Sequence, residues 1–358
     1  MLLGKLGAMN RFRSFANERI LVTGHTGFKG TWLCKFLEIL GAETYGYSLE
    51  PTKESLFRMM KRPNVTHGMI GDINDKDKFT SFVEAVNPSI VFHLAAQPLV
   101  RQSYLTPIET FHTNVVGSTH VMDSALKSKN IKGLVAITTD KVYENNQIGA
   151  AFVEGDPKGG HDPYSASKAA MEMAIDAWRY FYDRQSVKLV SARAGNVIGT
   201  GDRSVDRLLP DIIDALMAKR NVIVRNPTSV RPWQHVLEPL SGYLLIAERM
   251  LLNQNLSHAY NFGPSKESHI SVLEVAEKAI EFWKSESHVL VEEKKHNNYL
   301  PEAGKLVLNS ELAKKELKWS STFDASEAIK MTIDGEIDIQ SVPADEVIEK
   351  QIRNYLEI

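Results

Sequence analysis

A single cysteine, Cys34, among 358 residues rules out an intrachain disulfide and leaves secretion without support. No run approaches the roughly 20 apolar residues that a membrane span needs, so no membrane partner is expected. Charge of either sign is scarce in excess: 42 Lys and Arg face 44 Asp and Glu, a formal net charge of -2. That balance argues against a general nucleic-acid binder and leaves room only for a local basic pocket. The eleven histidines form no spaced cluster with carboxylates or thiols, and no metal is expected. Internal repeats and low-complexity tracts are lacking as well. Residues 1–17 carry basic side chains but no apolar core of signal-peptide length, and are expected to be a frayed leader. The expected location is the cytoplasm.

What is present is a hydrophobic fraction of 43% and a charged fraction of 24%, ordinary for a chain that buries a full core in one large domain or two. Arg19–Gly24 is a short apolar run meeting glycine, the pattern of a buried parallel strand, and a helical periodicity follows from Thr31 to Leu40. Between them Gly24, Gly27 and Gly30 stand at the spacing GxxGxxG. The first permits a tight turn, the second lets backbone approach a pyrophosphate, and the third lets helix and strand pack closely. The cradle is read as Gly24, Thr26, Gly27, Phe28, Lys29 and Gly30. The second strand, within 41–49, ends in Ser48 and Leu49, where dinucleotide enzymes usually carry an acid for the ribose diol. Glu50 lies just beyond and no arginine sits there, which favours NAD over NADP. Asp72 and Ile73 end the next element; Asp72 either meets the adenine or caps a helix, since Asp75 and Asp77 crowd the same turn.

Residues 88–96 form another strand. Its small final residues suit a nicotinamide ribose, held by Leu94, Ala95, Ala96 and Gln97. Arg101, Ser103 and Tyr104 follow at its carboxyl end, where open α/β sheets bind ligands. His93, inside the apolar run, is read as a satisfied core histidine. Residues 106–127 look like one long helix, with Asn114 in a supporting role.

The apolar run 133–137 opens into Thr139, Asp140 and Lys141. Further on, Tyr164 and Lys168 stand four apart at a helix start, on one face. A lysine beside a tyrosine favours phenolate and lowers the phenol pKa, fitting it to take a proton from an alcohol near neutral pH. The helix 165–184 carries apolar residues at 170, 171, 173, 174, 177, 178 and 181, so a Met171, Met173, Trp178 and Phe181 stripe is expected in the core or against a partner. A strand at 187–193 follows, after which the βα alternation stops. The segment 259–264 looks like a strand returning to the main sheet.

Five sequence patterns now resemble the extended short-chain dehydrogenase/reductase family. They are TGxxGFxG (Thr23 to Gly30), HLAA (His93 to Ala96), YxxxK (Tyr164, Lys168), RxxNV (Arg193 to Val197) and the Thr139, Asp140, Lys141 triplet. The resemblance covers about residues 18–350. The triplet is similar to that of nucleotide-sugar 4,6-dehydratases. The segments 47–52, 140–145, 162–168, 193–199 and 230–236 are most similar to those acting on CDP-glucose. Lys141 is glutamate in dehydratases of dTDP-glucose or GDP-mannose. Inverting dehydratases of UDP-N-acetylglucosamine share it, but their tyrosine follows sooner than the 23 positions seen here.

The resemblance implies an α/β fold: a Rossmann-type doubly wound parallel sheet with a smaller mixed α/β C-terminal substrate domain. It implies an NAD domain at 18–198 with a return segment near 235–264, and a nucleotide-sugar domain from 199–234 and 265–358. It implies NAD as cofactor, CDP-glucose as substrate, a homodimer or dimer of dimers through helix pairing, and a place in deoxysugar and O-antigen biosynthesis. Tyr164 then takes the proton of the sugar 4-hydroxyl while NAD+ takes hydride, Thr139 bonds the same oxygen, and Lys168 holds the ribose and the phenolate. Asp140 protonates the departing 6-hydroxyl. Lys141 either removes the carbon-5 proton or only pairs with Asp140. Arg231 leads the candidates for the substrate diphosphate, with Asn196 beside it and Arg101, Ser103, Arg203 and Arg207 behind. A 4-epimerase shares the Tyr/Lys pair but does not need Asp140 and Lys141, and an NAD-sensing binding protein stands as the reading from another class.

Overall fold

The computed structural model describes residues 12–61, 65–145, 150–292 and 306–357. Short apolar runs become β1 (Arg19–Thr23), β2 (Glu43–Ser48), β3 (His67–Ile70), β4 (Ile90–His93), β5 (Gly133–Ile137) and β6 (Lys188–Ala194). Later strands are β7 (Asn196–Ile198), β8 (Val222–Val224), β9 (Val230–His235), β10 (Ala259–Phe262), β11 (His269–Ser271) and β12 (Val289–Val291). Seven of these form one parallel sheet in the order β3-β2-β1-β4-β5-β6-β10. Every residue of β4 and β5 is buried, as expected for strands covered on both faces. Strand order reverses between β1 and β4, where Thr23 pairs with His93, and ligands of such sheets bind in the crevice opening there.

Besides two short helices, Leu56–Met59 and Glu311–Leu317, the helices are α1 (Phe28–Ile39), α2 (Lys76–Val86), α3 (Val100–Leu105), α4 (Pro107–Phe111), α5 (Ser118–Ala125), α6 (Pro163–Arg184), α7 (Leu208–Met217), α8 (Leu237–Leu251), α9 (Val272–Trp283), α10 (Ala325–Asp338) and α11 (Ala344–Glu357). On one face of the sheet Trp32 and Phe36 of α1, Leu240 and Leu244 of α8 and Ile348 of α11 share a core with Val22 and Phe92. On the other, Phe79 of α2, Val121 of α5 and Ile175 of α6 pack on Leu21, Val91 and Leu134. A third cluster joins α7, α9 and α10 through Ile212, Val275 and Ile329, beside the small sheets β11-β9-β7 and β12-β8. The doubly wound class is thus the observed one. α11 lies within the part expected to be the substrate unit but packs on α1, with Lys35 paired to Glu349 at 2.9 Å.

Three expectations need correction. Residues 1–11 of the expected leader lie outside the described residues, but Phe12 and Phe15 are core, their rings packed with one another and Phe12 against Phe36. The helix expected over 106–127 is interrupted by a π-helical stretch, His112–Gly117, which directs the buried Asn114 toward the β4 loop. In α6 the buried face is Tyr164, Lys168, Met171, Glu172, Ile175, Arg179 and Tyr182, whereas Met173 and Phe181 are exposed and Trp178 is partly buried. Polar partners on β5 and β6 drew a charged edge of the helix inward and turned part of its apolar stripe out.

Candidate active site

The glycine loop joins β1 to α1 at the crevice. Gly24 has φ +75°, and a Cβ there would come within 2.8 Å of the Ala95 amide nitrogen. A Cβ on Gly30 would lie 2.1 Å from the Gly24 carbonyl oxygen, so only glycine lets α1 sit this close. Gly27 is the N-cap of α1 and offers no side-chain cap, leaving first-turn amides for an anion. The Thr26 hydroxyl meets Ser48 Oγ at 2.7 Å and donates to the Leu49 carbonyl at 3.0 Å, tying the loop to the end of β2. Asp72 does not cap α2; Asp75 does, accepting from the Lys78 amide. Asp72 accepts from the Asn74 amide at 2.9 Å and is exposed, while Ile73 beside it is buried. These residues fit a dinucleotide pyrophosphate with its adenosine toward β2 and β3.

Leu94 to Gln97 leave β4 half-buried. Asn114 pins this turn, accepting from the Gln97 amide at 2.8 Å and donating to the Gln97 carbonyl at 3.0 Å and to Ser167 Oγ at 2.9 Å. His93 is fully buried between Thr23 Oγ1 (2.7 Å) and Ser118 Oγ (2.9 Å), and burial with Lys168 nearby pushes its pKa down to about 3. It is the satisfied core histidine expected of it.

Thr139, Asp140 and Lys141 open the turn after β5. Thr139 Oγ1 donates to Asp140 Oδ1 at 2.9 Å and hydrogen-bonds the Tyr164 side chain. Lys141 Nζ lies 3.5 Å from the same Asp140 oxygen. Gly195 makes the room for this carboxylate, since a Cβ there would be 2.9 Å from Asp140 Oδ2. Asp162 caps α6 by accepting from the Ser165 amide, and so sets Tyr164 in the first turn.

The electrostatics differ from expectation. Burial holds the Tyr164 phenol above its usual pKa, opposed chiefly by the Lys141 ammonium and the Thr139 bond, and less by Arg207. Lys141 is the foremost cation acting on the phenol, with Arg207 behind it. Lys168 Nζ donates to the Ile137 carbonyl at 3.3 Å, and burial lowers its pKa to about 8. Lys141 moves the opposite way to what a base requires: Asp140 raises its pKa against the effect of burial, with Tyr164 adding to the rise. In the free protein Lys141 is a paired ammonium.

Two substrate candidates are redirected. The fully buried Ser103 hydroxyl donates to the Val100 carbonyl at 2.6 Å and accepts from the Tyr164 amide at 3.1 Å, which makes it a support for Tyr164. Arg203 makes two hydrogen bonds to the buried Glu336 of α10, at 2.8 and 2.6 Å, and holds the 199–207 loop in place. Arg207 pairs with Asp202 at 3.2 Å while keeping about a third of its side chain exposed, and acts electrostatically on Tyr164. Arg101 meets Asp206 at 2.6 Å across the mouth. Arg231 is half-buried and acts on Lys141, and Asn196 is half-buried at the start of β7.

Sequence reasoning passed over Glu172. It is fully buried one turn beyond Lys168 and accepts from Arg193 Nε (2.8 Å) and Nη2 (2.7 Å), Thr138 Oγ1 (2.6 Å) and Ser191 Oγ (3.0 Å). Burial alone would raise this carboxyl, but Arg193 and the hydroxyls hold it below the usual range. Arg193 Nη1 also donates to Tyr143 Oη at 2.7 Å, and Tyr143 donates to Asn261 Oδ1. The only signal for it in the sequence was the i, i+4 spacing of Lys168 and Glu172.

Such a sheet, glycine cradle and Tyr/Lys pair on a helix start define a Rossmann-type dinucleotide-dependent enzyme. Residues 20–263 match the NAD dependent epimerase/dehydratase family. A CDP-glucose 4,6-dehydratase of Salmonella typhimurium is 42% identical over 320 residues, covering 87% of this chain and 88% of that protein. A dTDP-D-glucose 4,6-dehydratase of Bos taurus is 26% identical over 76% of this chain and 74% of its own. Among solved structures, an epimerase of Methanothermobacter thermautotrophicus superposes with a TM-score of 0.79 at 22% identity, covering 96% of this chain and 97% of that one. A dTDP-glucose 4,6-dehydratase of Bacillus anthracis in complex with NAD gives 0.73 at 19% identity, over 90% and 97%. The chain belongs to the NAD dependent epimerase/dehydratase family, and NAD is its cofactor.

Proposed function

We propose that this enzyme is a CDP-glucose 4,6-dehydratase, converting CDP-D-glucose to CDP-4-keto-6-deoxy-D-glucose. The observation that carries the reading is the linked set Tyr164, Thr139, Asp140 and Lys141, which couples a phenol suited to oxidation to an acid and an ammonium suited to elimination. The 42% identity to the Salmonella enzyme supports the base and the sugar.

NAD, when bound, takes up hydride from the sugar and returns it, so the cycle consumes no cofactor. Tyr164 takes the proton of the 4-hydroxyl, and Thr139 orients that oxygen. Lys141 and the Thr139 bond favour phenolate, which burial otherwise opposes. The resulting 4-keto group acidifies the carbon-5 proton. Asp140 delivers a proton to the departing 6-hydroxyl, and the Lys141 ammonium holds Asp140 and the phenol in register. Transfer of a proton from the Lys141 ammonium to Asp140, 3.5 Å away, leaves an acid for the 6-hydroxyl and a neutral amine to take the carbon-5 proton. Lys168 fixes the nicotinamide ribose. Gly24, Thr26, Gly27, Phe28, Lys29, Gly30, Ser48, Asp72, Ile73 and 94–97 form the cofactor's bed. Arg231, Asn196, Arg207 and Arg101 form the substrate's, within a unit built from 199–234 and 265–358.

The same reading includes a cytoplasmic homodimer. Leu105, Ile108 and Phe111 at α3–α4, Val116 in the π-turn, and Met173 and Phe181 on α6 are large exposed apolar side chains on adjacent helices. A face of that kind suits pairing with its copy.

The test is mass spectrometry of CDP-glucose incubated with protein and NAD+. Loss of one water without lasting NADH is expected. An unchanged mass with a new 4-epimer, or turnover of a UDP-, dTDP- or GDP-sugar in its place, would overturn the assignment.

A further inference from the structure

We propose that the buried Glu172–Arg193 pair is a positioning device for the reaction: it holds both ends of the turn that carries Asp140 and Lys141, and so sets the groups of elimination against the Tyr164 of oxidation. This rests on the dehydratase reading above and says what keeps its two halves in register. Thr138 and Tyr143 are the positioning residues through which the pair acts.

After β5 the chain makes one tight helical turn, Asp140–Val142. Thr138 stands before it and Tyr143 after it, and both are buried. The Thr138 hydroxyl donates to Glu172 Oε1 at 2.6 Å. The Tyr143 hydroxyl accepts from Arg193 Nη1 at 2.7 Å and donates to Asn261 Oδ1 at 2.7 Å. Glu172 and Arg193 are themselves joined by two hydrogen bonds, at 2.8 and 2.7 Å. One ion pair thus closes the turn, the carboxylate holding its entry and the guanidinium its exit. Just past Arg193, Gly195 leaves the space that the Asp140 carboxylate occupies.

Tyr164 and Lys168 take their place from α6 instead, which Asp162 caps and along whose buried face Glu172 follows Lys168 by one turn. Glu172 is therefore the point at which the helix of the phenol and the turn of the acid meet. Packing does not explain the pair, since apolar side chains of like volume often fill such a space with no loss of stability. They cannot aim two hydroxyls. Asp140 and Lys141 owe their direction to a turn fixed at both ends, and an error of about 1 Å in such groups can cost about 100-fold in rate. Oxidation loses less, because its base stays on the helix. A loosened turn slows the loss of water more than the transfer of hydride.

The test uses the full-length protein with NAD+ and CDP-glucose, in the wild type and in the variants T138V, Y143F and S191A. The first two each release one end of the turn and spare the ion pair. Ser191→Ala removes a bond of 3.0 Å to the same carboxylate from outside the turn. NADH is followed by its absorbance in a single turnover, and the sugar by mass spectrometry. The wild type is expected to lose water with no lasting NADH. In Thr138→Val and Tyr143→Phe, kcat is expected to fall about 10- to 100-fold with KM changed by no more than about threefold. NADH then persists, and the sugar leaves as the 4-ketone, lighter by two hydrogens and with its 6-hydroxyl kept. The hydride is on the cofactor and the hydroxyl proton on Tyr164, so the arrested step balances. Ser191→Ala keeps the wild-type partition. Thermal melting and calorimetric titration of NAD show that each variant is folded, and either variant of the turn decides the question by itself. A fall in kcat without lasting NADH, the same lasting NADH in Ser191→Ala, or no change in any variant overturns the proposal. A wild type that returns a 4-epimer of unchanged mass overturns the dehydratase reading itself, before any variant is compared.

Discussion

Within the candidate catalytic cluster the residues were legible but their mutual influence was not. Tyr164 and Lys168 stand four apart on α6, yet the phenol answers to Lys141, which reaches it from the turn after β5. Side chains on one helical face are neighbours at their roots, whereas charges interact at their tips. The Lys141 ammonium is part-buried beside Asp140 and Tyr164, and the attraction between them raises the lysine and works against the burial that raises the phenol. Removing that ammonium must raise the phenol pKa further. Lys141→Met is therefore expected to move the rising limb of kcat/KM to higher pH and to lower kcat by about 10²- to 10⁴-fold. A pH profile of the two proteins between pH 6 and 10 measures both effects. An unmoved limb in K141M would mean that Lys168 tunes Tyr164 after all.

At the scale of elements, α6 works as a bracket between the site and the sheet. Its outer turn carries Tyr164, the next Lys168, and the next Glu172, which clamps Arg193 of β6 and Thr138 at the end of β5. Both charges of this pair are nearly inaccessible, at 2% and 0% side-chain exposure, so each depends on the other for solvation. Arg193→Met leaves the Glu172 carboxylate buried with hydroxyls alone and is expected to cost about 3–5 kcal/mol. Urea denaturation reads that loss, and the double variant R193M/E172Q should recover part of it by removing the stranded charge. A fall under about 1 kcal/mol in R193M would show that water reaches Glu172. The π-turn in the α4–α5 region acts similarly on the other side: one widened turn aims Asn114 at both Gln97 and Ser167, joining the β4 loop to α6. Hydrophobic periodicity registers a helix there but averages over a single wide turn.

For the whole molecule, α3 and α4 pack on the helix that carries Tyr164, and all three expose large apolar side chains. Pairing of two copies through them would brace the catalytic helix. Sedimentation equilibrium is expected to give twice the monomer mass, and Ile108→Asp with Phe181→Asp to give the monomer. A wild type that sediments as a monomer at micromolar concentration would remove the pairing. The C-terminal helix α11 also acts globally. It packs on α1, and Tyr355 donates to Ser241 of α8 at 2.9 Å, so the chain's end buttresses the helix that opens the cofactor cradle.

The buried parallel strands, the glycine cradle and the Tyr/Lys and Thr/Asp/Lys groups followed from the sequence by itself. Each depends on short-range rules: apolar runs read as buried strands, glycines mark close backbone approach, and spacing on a helix sets a common face. Only the tertiary structure decided that Ser103 and Arg203 are supports, that Glu172 anchors α6, and that Phe12 and Phe15 are core. Those roles turn on which charged or polar tips meet across long chain separations and how little water stands between them. A linear pattern carries no information about either distance or dielectric, and in this protein they determine what each residue does.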